Sequence, residues 1–413
     1  MLPQTPWRLR FFTIWTGQQL SQVGTIIGRF ALIWWLTRET GSAVVLANAT
    51  MVALAPSILL MPFVGPLIDR WNRRALILIS DTFIALVSLW LAYLFWSGTM
   101  QIWHVYVVML LRSVGSVFHG PAFSASVPLM VPKDHLVRIA GMGSTLNGIK
   151  GIIGPGLGAL CMELLPLHGI MLIDVFTAVL AIVPLLLLAI PQPDAEHIER
   201  IRSASYFANL KQGLTFVLRW PGLLMLVGSV ALIKIVISPA LSLSPLLIYE
   251  HFGRTVVEYG MCQSLSGVGV ILGGFILTAW GGFRRKIFTI LMGLAGLGLG
   301  VSLMGFLSAD AFWPLLGLFA FVGMTSVAFN APTAAILQAS VPKHIQGRVF
   351  SLFGCLVSVT TPIGLAIAGP LAERVGVPFL FQWGGILGVG IALTGFFVPA
   401  LRTMETRYAD EGE

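Results

Sequence analysis

The chain alternates between long apolar runs and short polar breaks, and this alternation predicts its elements. Twelve runs reach the roughly 20 residues that a helix needs to cross a hydrocarbon core. They cover about 11–36, 43–66, 75–97, 102–123, 139–164 and 169–191, then 222–248, 258–280, 286–308, 312–333, 347–370 and 378–400. Breaks this short join antiparallel neighbours. The longest polar stretch, 192–221, separates the sixth run from the seventh. It predicts a cytoplasmic linker between two six-helix bundles, 1–191 and 222–413, the second ending in a short cytoplasmic tail. Over 205–219 apolar and polar residues alternate at helical spacing, so part of the linker is expected to lie on the membrane surface. The expected fold is all-α: twelve transmembrane helices in two pseudo-symmetric halves.

Composition agrees with a chain made for lipid. Hydrophobic residues make up 56% of the 413, charged residues 10%, and the mean hydropathy is +0.89. A soluble domain is about 25% charged. Cys161, Cys262 and Cys355 each stand alone in an apolar run, without metal or redox spacing, and read as packing residues. The run from Phe11 to Leu36 is too long for a signal peptide's apolar region and reads as the first spanning helix.

The net charge of +8 could suggest nucleic acid, but its distribution points to a membrane. With the N-terminus inside and the helices alternating, the 25 Lys and Arg divide as 18 cytoplasmic, 3 external (Arg38, Arg254, Arg374) and 4 within helices. Basic residues collect in cytoplasmic loops, so this split favours one orientation, both termini inside.

The halves repeat. Phe118-His119-Gly120-Pro121 and Val131-Pro132-Lys133 recur as Phe329-Asn330-Ala331-Pro332 and Val341-Pro342-Lys343, about 210 residues later. Gly274 to Arg285 is a worn copy of the loop after the second run, with Thr278 in place of Asp69. Duplicated six-helix units form transporters in which a central site lies between two halves that rock.

That loop, Gly65 to Arg74, carries the pattern Gly-x-x-x-Asp-Arg-x-x-Arg-Arg. It resembles the loop between helices 2 and 3 of the major facilitator superfamily of secondary transporters, although Asn72 stands where the family has Gly. Arg112 to Gly115 resembles the family's intramembrane arginine motif. Gly148, Gly151 and Gly154-Pro155-Gly156-Leu157-Gly158 resemble its helix 5 antiporter motif. Phe12 to Gln18, Thr40 to Ala43, Arg112 to Ala122 and Gly347 to Leu352 are similar to the macrolide-efflux branch, which includes siderophore exporters. The resemblance implies export of a small organic molecule driven by protons, from a cytoplasmic membrane, by alternating access.

Each feature has a plain reading beside a functional one. In the loop, Arg70, Arg73 and Arg74 anchor topology; the functional reading adds a latch, in which Asp69 meets a helix N-terminus or an arginine in only one conformation. Gly151, Gly154, Pro155 and Gly158 are read as a packing face that lets helix 5 approach helix 8. Asp81 and Asp174 are either solvated at the interface or carry protons.

The four intramembrane cations, Arg29, Arg112, Lys150 and Lys234, are functional candidates by default, because charge in hydrocarbon is costly. Gln18, Gln22, Thr25 and Arg29 form one stripe on helix 1. Lys234, Ser238 and Ser242 form a second on helix 7, and Arg112, Ser116 and His119 a third on helix 4. Asn147 lies beside Lys150. The stripes of helices 1 and 7 are expected to line one substrate cavity, and Asp81, modulated by Arg112, is the expected proton carrier, with Asp174 as alternative. Two acids do not neutralise four cations. The residues therefore lean toward an anionic or phenolate substrate, against the basic drugs that the resemblance implies.

The function expected is secondary export of a macrolide-like drug or other amphipathic molecule, by proton antiport, with a monomer in the lipid bilayer as the working unit. The alternatives are transport of an amphipathic anion, such as a siderophore or lysolipid, and a non-transporting receptor. No nucleotide loop, metal cluster or Ser/His/Asp constellation appears, so neither an enzyme nor a cofactor is expected. Labelling of single cysteines from outside should reach a probe at 38–41 and miss one at 200; the reverse would invert the topology.

Overall fold

A computed structural model of the chain describes residues 6–192, 215–218, 220–342 and 345–402, with 62, 66, 69, 70, 347, 348 and 351 described by backbone alone. Most of the expected linker thus lies outside the described residues; 215–218 are helical. The side chains of Asp69 and Arg70 also lie outside them.

The long helices are α1 Trp7–Thr40, α2 Ala43–Arg70, α3 Arg73–Trp96, α4 Ile102–Met130, α5 Leu136–Leu164 and α6 Leu167–Leu187, then α7 Pro221–Ser242, α8 Val256–Trp280, α9 Lys286–Phe306, α10 Phe312–Ser340, α11 Gln346–Val375 and α12 Val377–Gly395. Ten of them are long and apolar enough to cross a membrane. The exceptions are α1 and α5, which are long but carry the polar residues singled out above. Several boundaries differ from expectation. The run at 43–66 continues as helix to Arg70, into the expected loop. The apolar runs at 102–123 and 312–333 continue as helix to Met130 and Ser340, through Pro121 and Pro128 in α4 and Pro332 in α10. The run at 222–248 is interrupted instead: α7 stops at Ser242, and a short turn, Ser244–Leu246, leads into a wider one, Leu247–His251.

The duplication is visible in the helix starts. Ile102 and Phe312, Leu136 and Gln346, and Leu167 and Val377 each stand 210 residues apart.

Local chemistry explains the breaks. Gly41 adopts φ +55°, which ends α1. Ser42 then caps α2 by accepting from Val45 N at 3.2 Å. Asn72 does not act as a tight-turn residue; it is the N-cap of α3, with φ −65° and its side chain accepting from Ala75 N. An asparagine therefore does there what a glycine could not. Thr255 and Glu258 form a capping box at α8, and Gly281, left-handed at φ +79°, ends that helix.

The chain divides into two compact units, residues 1–36 with 52–204, and 37–51 with 205–413. Small residues set the helix spacing in each. In the first, a Cβ added at Gly17 would lie 2.8 Å from Leu180 O, and one at Gly24 3.1 Å from Asp174 Cα, so α1 seats against the backbone of α6. Within the first unit, two of the α5 glycines pack on α1. A Cβ at Gly154 would meet Ile26 at 2.6 Å, and one at Gly158 the ring of Phe30 at 2.8 Å; both neighbours belong to α1. Gly151 has nothing within 4 Å. In the second unit α9 packs on α12 through Gly298, Gly305 and Gly385, and α8 on α10 through Gly269, Gly273 and Gly323. Also in that unit, Glu373 of α11 accepts from Ser42 Oγ and from Val44 N at 3.3 Å, a carboxylate at the start of α2.

These contacts predict opposite results for one substitution. Gly158→Ala should destabilise by about 1–3 kcal/mol through overpacking, whereas Gly151→Ala should stabilise by up to about 1 kcal/mol through helix propensity. Thermal unfolding of the purified protein in detergent, followed by tryptophan fluorescence, tests both.

Candidate functional site

Among the described residues of the first unit, the polar side chains bonded between helices in its interior form three groups. The first centres on Asp174 of α6, which is 2% exposed. Its Oδ2 accepts from Arg112 Nη1 at 2.6 Å and from Ser88 Oγ at 2.7 Å, and its Oδ1 from Thr25 Oγ1 at 3.0 Å. Arg112 Nη1 also donates to Ser88 Oγ at 2.5 Å. Residues from α1, α3, α4 and α6 therefore meet at one carboxylate. Both charges are desolvated, and the pair persists because each is answered by the other and by hydroxyls. Ser88 escaped sequence reasoning, although it lies seven residues after Asp81, two turns along the same face of α3.

The second group joins Asp81, Gln18 and His119. Gln18 Nε2 donates to Asp81 Oδ2 at 2.7 Å, which turns its Oε1 toward His119 Nε2, also at 2.7 Å. The same Nε2 lies 3.1 Å from Asp81 Oδ1. An imidazole nitrogen between two acceptors carries a hydrogen, so His119 donates there whether neutral or charged. The expected pairing of Asp81 with Arg112 is thus replaced: Arg112 serves Asp174, and Asp81 serves His119. Sequence periodicity could not choose, since helix rotation and partner are set by packing.

In the third group Lys150 Nζ donates to Gln19 Oε1 at 2.8 Å and to Gln22 Oε1. Gln19 was not singled out in the sequence. Among the described residues no carboxylate pairs with this lysine. Three members of the α1 stripe, Gln18, Gln22 and Thr25, are therefore bonded inside the first unit, to α3, α5 and α6 respectively. The fourth, Arg29, is exposed rather than buried. Lys234 and Ser238 of α7 are half-buried in the second unit. The stripe of α7 is partly self-satisfied, with Ser242 Oγ donating to Ser238 O at 2.9 Å.

A cavity of about 530 Å³ lies between α1, α4 and α5. Trp15, Phe123 and Val127 supply apolar wall; Gln19, Gln22, His119, Ser144 and Asn147 supply polar groups. Gly120, lacking a side chain, leaves room on the α4 side. Two of the three bonded groups touch this space: His119 brings Asp81 to its edge, and Gln19 with Gln22 brings Lys150. The Asp174 group contributes no wall residue. In the second unit a cavity of about 260 Å³ between α8, α9 and α10 is lined by apolar residues, glycines and two threonines.

The loop after α2 is fastened on its α3 side. Arg73 Nη1 donates to Ala125 O of α4 at 2.6 Å. Arg74 donates to Leu185 O at 2.6 Å and Leu186 O at 2.9 Å, terminal carbonyls of α6 that a basic side chain satisfies well. Gly65 has no neighbour within 4 Å of an added Cβ.

Comparison with known proteins agrees with this architecture. The family described as Transmembrane secretion effector matches residues 3–410. Macrolide efflux protein A of Streptococcus pyogenes is 30% identical over 405 residues, 97% of this chain and 98% of the relative. Multidrug efflux pump Tap of Mycolicibacterium fortuitum is 24% identical over 390 residues, 91% of this chain and 92% of the relative. Among solved structures, the nucleoside transporter NupG superposes with a TM-score of 0.68 at 13% identity, covering 94% of this chain and 99% of that one. A POT family transporter superposes with a TM-score of 0.68, also at 13% identity, covering 92% and 95%. The repeated helices, the buried ion pair and the matched family together make this chain a multi-pass membrane transporter of the major facilitator superfamily, a member of the Transmembrane secretion effector family in the macrolide-efflux branch.

Proposed function

We propose that the protein exports an amphipathic small molecule of the macrolide type across a cytoplasmic membrane in exchange for protons. In this reading α1 and α5 span the bilayer with the other ten long helices. Both termini are cytoplasmic, a single chain is the working unit, and the 192–221 segment links two halves that alternate access. Efflux relatives of nearly full-length coverage support export.

One observation supports the coupling: of the two buried carboxylates among the described residues, Asp81 is the one connected to the cavity. Asp174 is fixed by a guanidinium and two hydroxyls, and none of these partners lines the cavity. Asp81 has a neutral amide and an imidazole as partners, and the imidazole is part of the cavity wall. A proton entering the cavity reaches His119 first and Asp81 next. Neutralising Asp81 turns one of its two acceptor oxygens into a hydroxyl and weakens its hold on His119 and Gln18, and this loosens α1 and α4 relative to α3. Proton arrival is thus tied to helix movement.

A second reading is transport of an amphipathic anion such as a siderophore or lysolipid. It is favoured by Lys150, a cation at the cavity without a carboxylate partner among the described residues.

The segment from Gly65 to Arg74, the end of α2 and the turn into α3, completes the proposal. Arg73 and Arg74 hold its α3 end on the bundle, and Asp69 with Arg70 acts as the part that engages and releases. Asp69→Asn is expected to leave folding intact and to slow transport by shifting the resting population; wild-type rates at normal expression would remove the latch from the mechanism.

The acids are distinguished in proteoliposomes with an imposed pH gradient. Asp81→Asn should fold and still move substrate down its own gradient, but lose stimulation by the pH gradient. Asp174→Asn should destabilise the protein by about 3–5 kcal/mol, because it strands Arg112. If gradient-driven export survives Asp81→Asn, the carrier is another group or protons are not exchanged.

A further inference from the structure

The polar end of the first-unit cavity is made by two amides whose orientation is not free. Lys150 Nζ holds both Gln19 and Gln22 by their carbonyl oxygens. An ammonium offers three hydrogens and no lone pair, so it can hold an amide only by oxygen. The NH₂ group of each glutamine is then left on the other side. Among the described residues neither NH₂ group has a protein partner, and both side chains line the cavity. Four N–H donors are available from this pair, and the carbonyls that could have balanced them are occupied.

Lys150 adds a second effect. Its charge withdraws density through the two carbonyls and strengthens the outward N–H groups, a polarisation favoured in a low-dielectric interior. It also makes that end of the cavity positive. The charged groups near it are few. The nearby cavity-lining imidazole is His119, already donating from Nε2, and Asp81 stands behind it. Arg112 is neutralised by Asp174.

We propose that this wall selects substrates by an oxygen acceptor, a carbonyl or a carboxylate, bound by the NH₂ groups of Gln19 and Gln22, with Lys150 as the positioning residue that fixes their polarity. The inference rests on the cavity being the drug site, and it adds a chemical class to that reading. An ester, ketone or carboxylate oxygen meets ready-made donors. A lipophilic cation without acceptors meets a positive, donor-rich end of the cavity. Macrolide-like molecules fit through their lactone and ketone oxygens rather than through their amine, so their basicity does not conflict with the lysine.

Equilibrium binding to the purified full-length protein in nanodiscs tests this with three probes: erythromycin, carboxyfluorescein and tetraphenylphosphonium. Lys150→Met frees the amides to rotate and should weaken erythromycin by about tenfold, the equivalent of one well-placed hydrogen bond. It should weaken carboxyfluorescein by more, since a charge is lost as well. Tetraphenylphosphonium should bind unchanged or tighter. Lys150→Arg, which still donates to both oxygens, should restore erythromycin binding to within about threefold. Gln22→Leu keeps the cation and removes half of the donors; it should reproduce the selective loss even if Lys150→Met is not recovered as folded protein. Equal losses for all three probes, or no loss of either oxygen-bearing probe, would overturn the inference. If the parent binds tetraphenylphosphonium but neither oxygen-bearing probe, the donor wall falls while export stands. If it binds none of the three, the cavity is not the drug site and both readings fall.

Discussion

A charge placed where water does not reach must be answered at the same depth, and the first unit is arranged around that requirement. Asp174 and Arg112 come from α6 and α4, and the two hydroxyls that complete the site come from α1 and α3. Four helices are thereby fixed in rotation as well as position, because a rotation of one residue, about 100°, would carry any of these groups away. Glycines make the convergence possible. Gly24 admits α1 to the backbone of α6 at the level of Asp174, which places Thr25 within reach of the carboxylate.

The same requirement explains why α1 and α5 are the less apolar helices. Four of their polar residues are bonded inside the unit: Gln18, Gln22 and Thr25 on one, Lys150 on the other. Two kinds of buried group result. The guanidinium–carboxylate pair is buried, joined through Arg112 Nη1 and away from the cavity, so it acts as a fixed reference. The Asp81 and Lys150 groups are held by neutral amides and an imidazole, border the cavity, and can exchange partners at lower cost. Rigidity and responsiveness are thus assigned to neighbouring clusters on the same helices.

Much of this was legible in the sequence, and the remainder fails for identifiable reasons. Apolar runs gave the long helices, and the repeated Phe-x-x-Pro and Val-Pro-Lys motifs gave the duplication seen in helix starts 210 residues apart. Charge identity marked Arg112, Lys150, Asp81 and Asp174. Their pairing was not readable: Arg112 could have met either acid, and only the packing of α3 on α4 and α6 decides. The approach of Gly154 and Gly158 to α1 was missed for the same reason, since a small face says that something approaches but not which helix. Ser88 and Gln19 were overlooked because a serine or glutamine in an apolar run becomes informative only once its partner is known. Asn72 looked like a departure from the loop pattern until its backbone showed that a cap, not a turn, is needed there.

The Arg112–Asp174 pair also has a consequence in time. The two residues are 62 positions apart. At a synthesis rate of about 5–20 residues per second, roughly 3–12 s separate their emergence from the ribosome. During that interval α4 carries a guanidinium whose counter-ion does not yet exist. Lateral release of α4 into lipid before α6 arrives would expose that charge to hydrocarbon. The first four helices therefore have reason to stay near a hydrated insertion machinery until the sixth is made, so the bundle is delivered to the bilayer as a group rather than helix by helix.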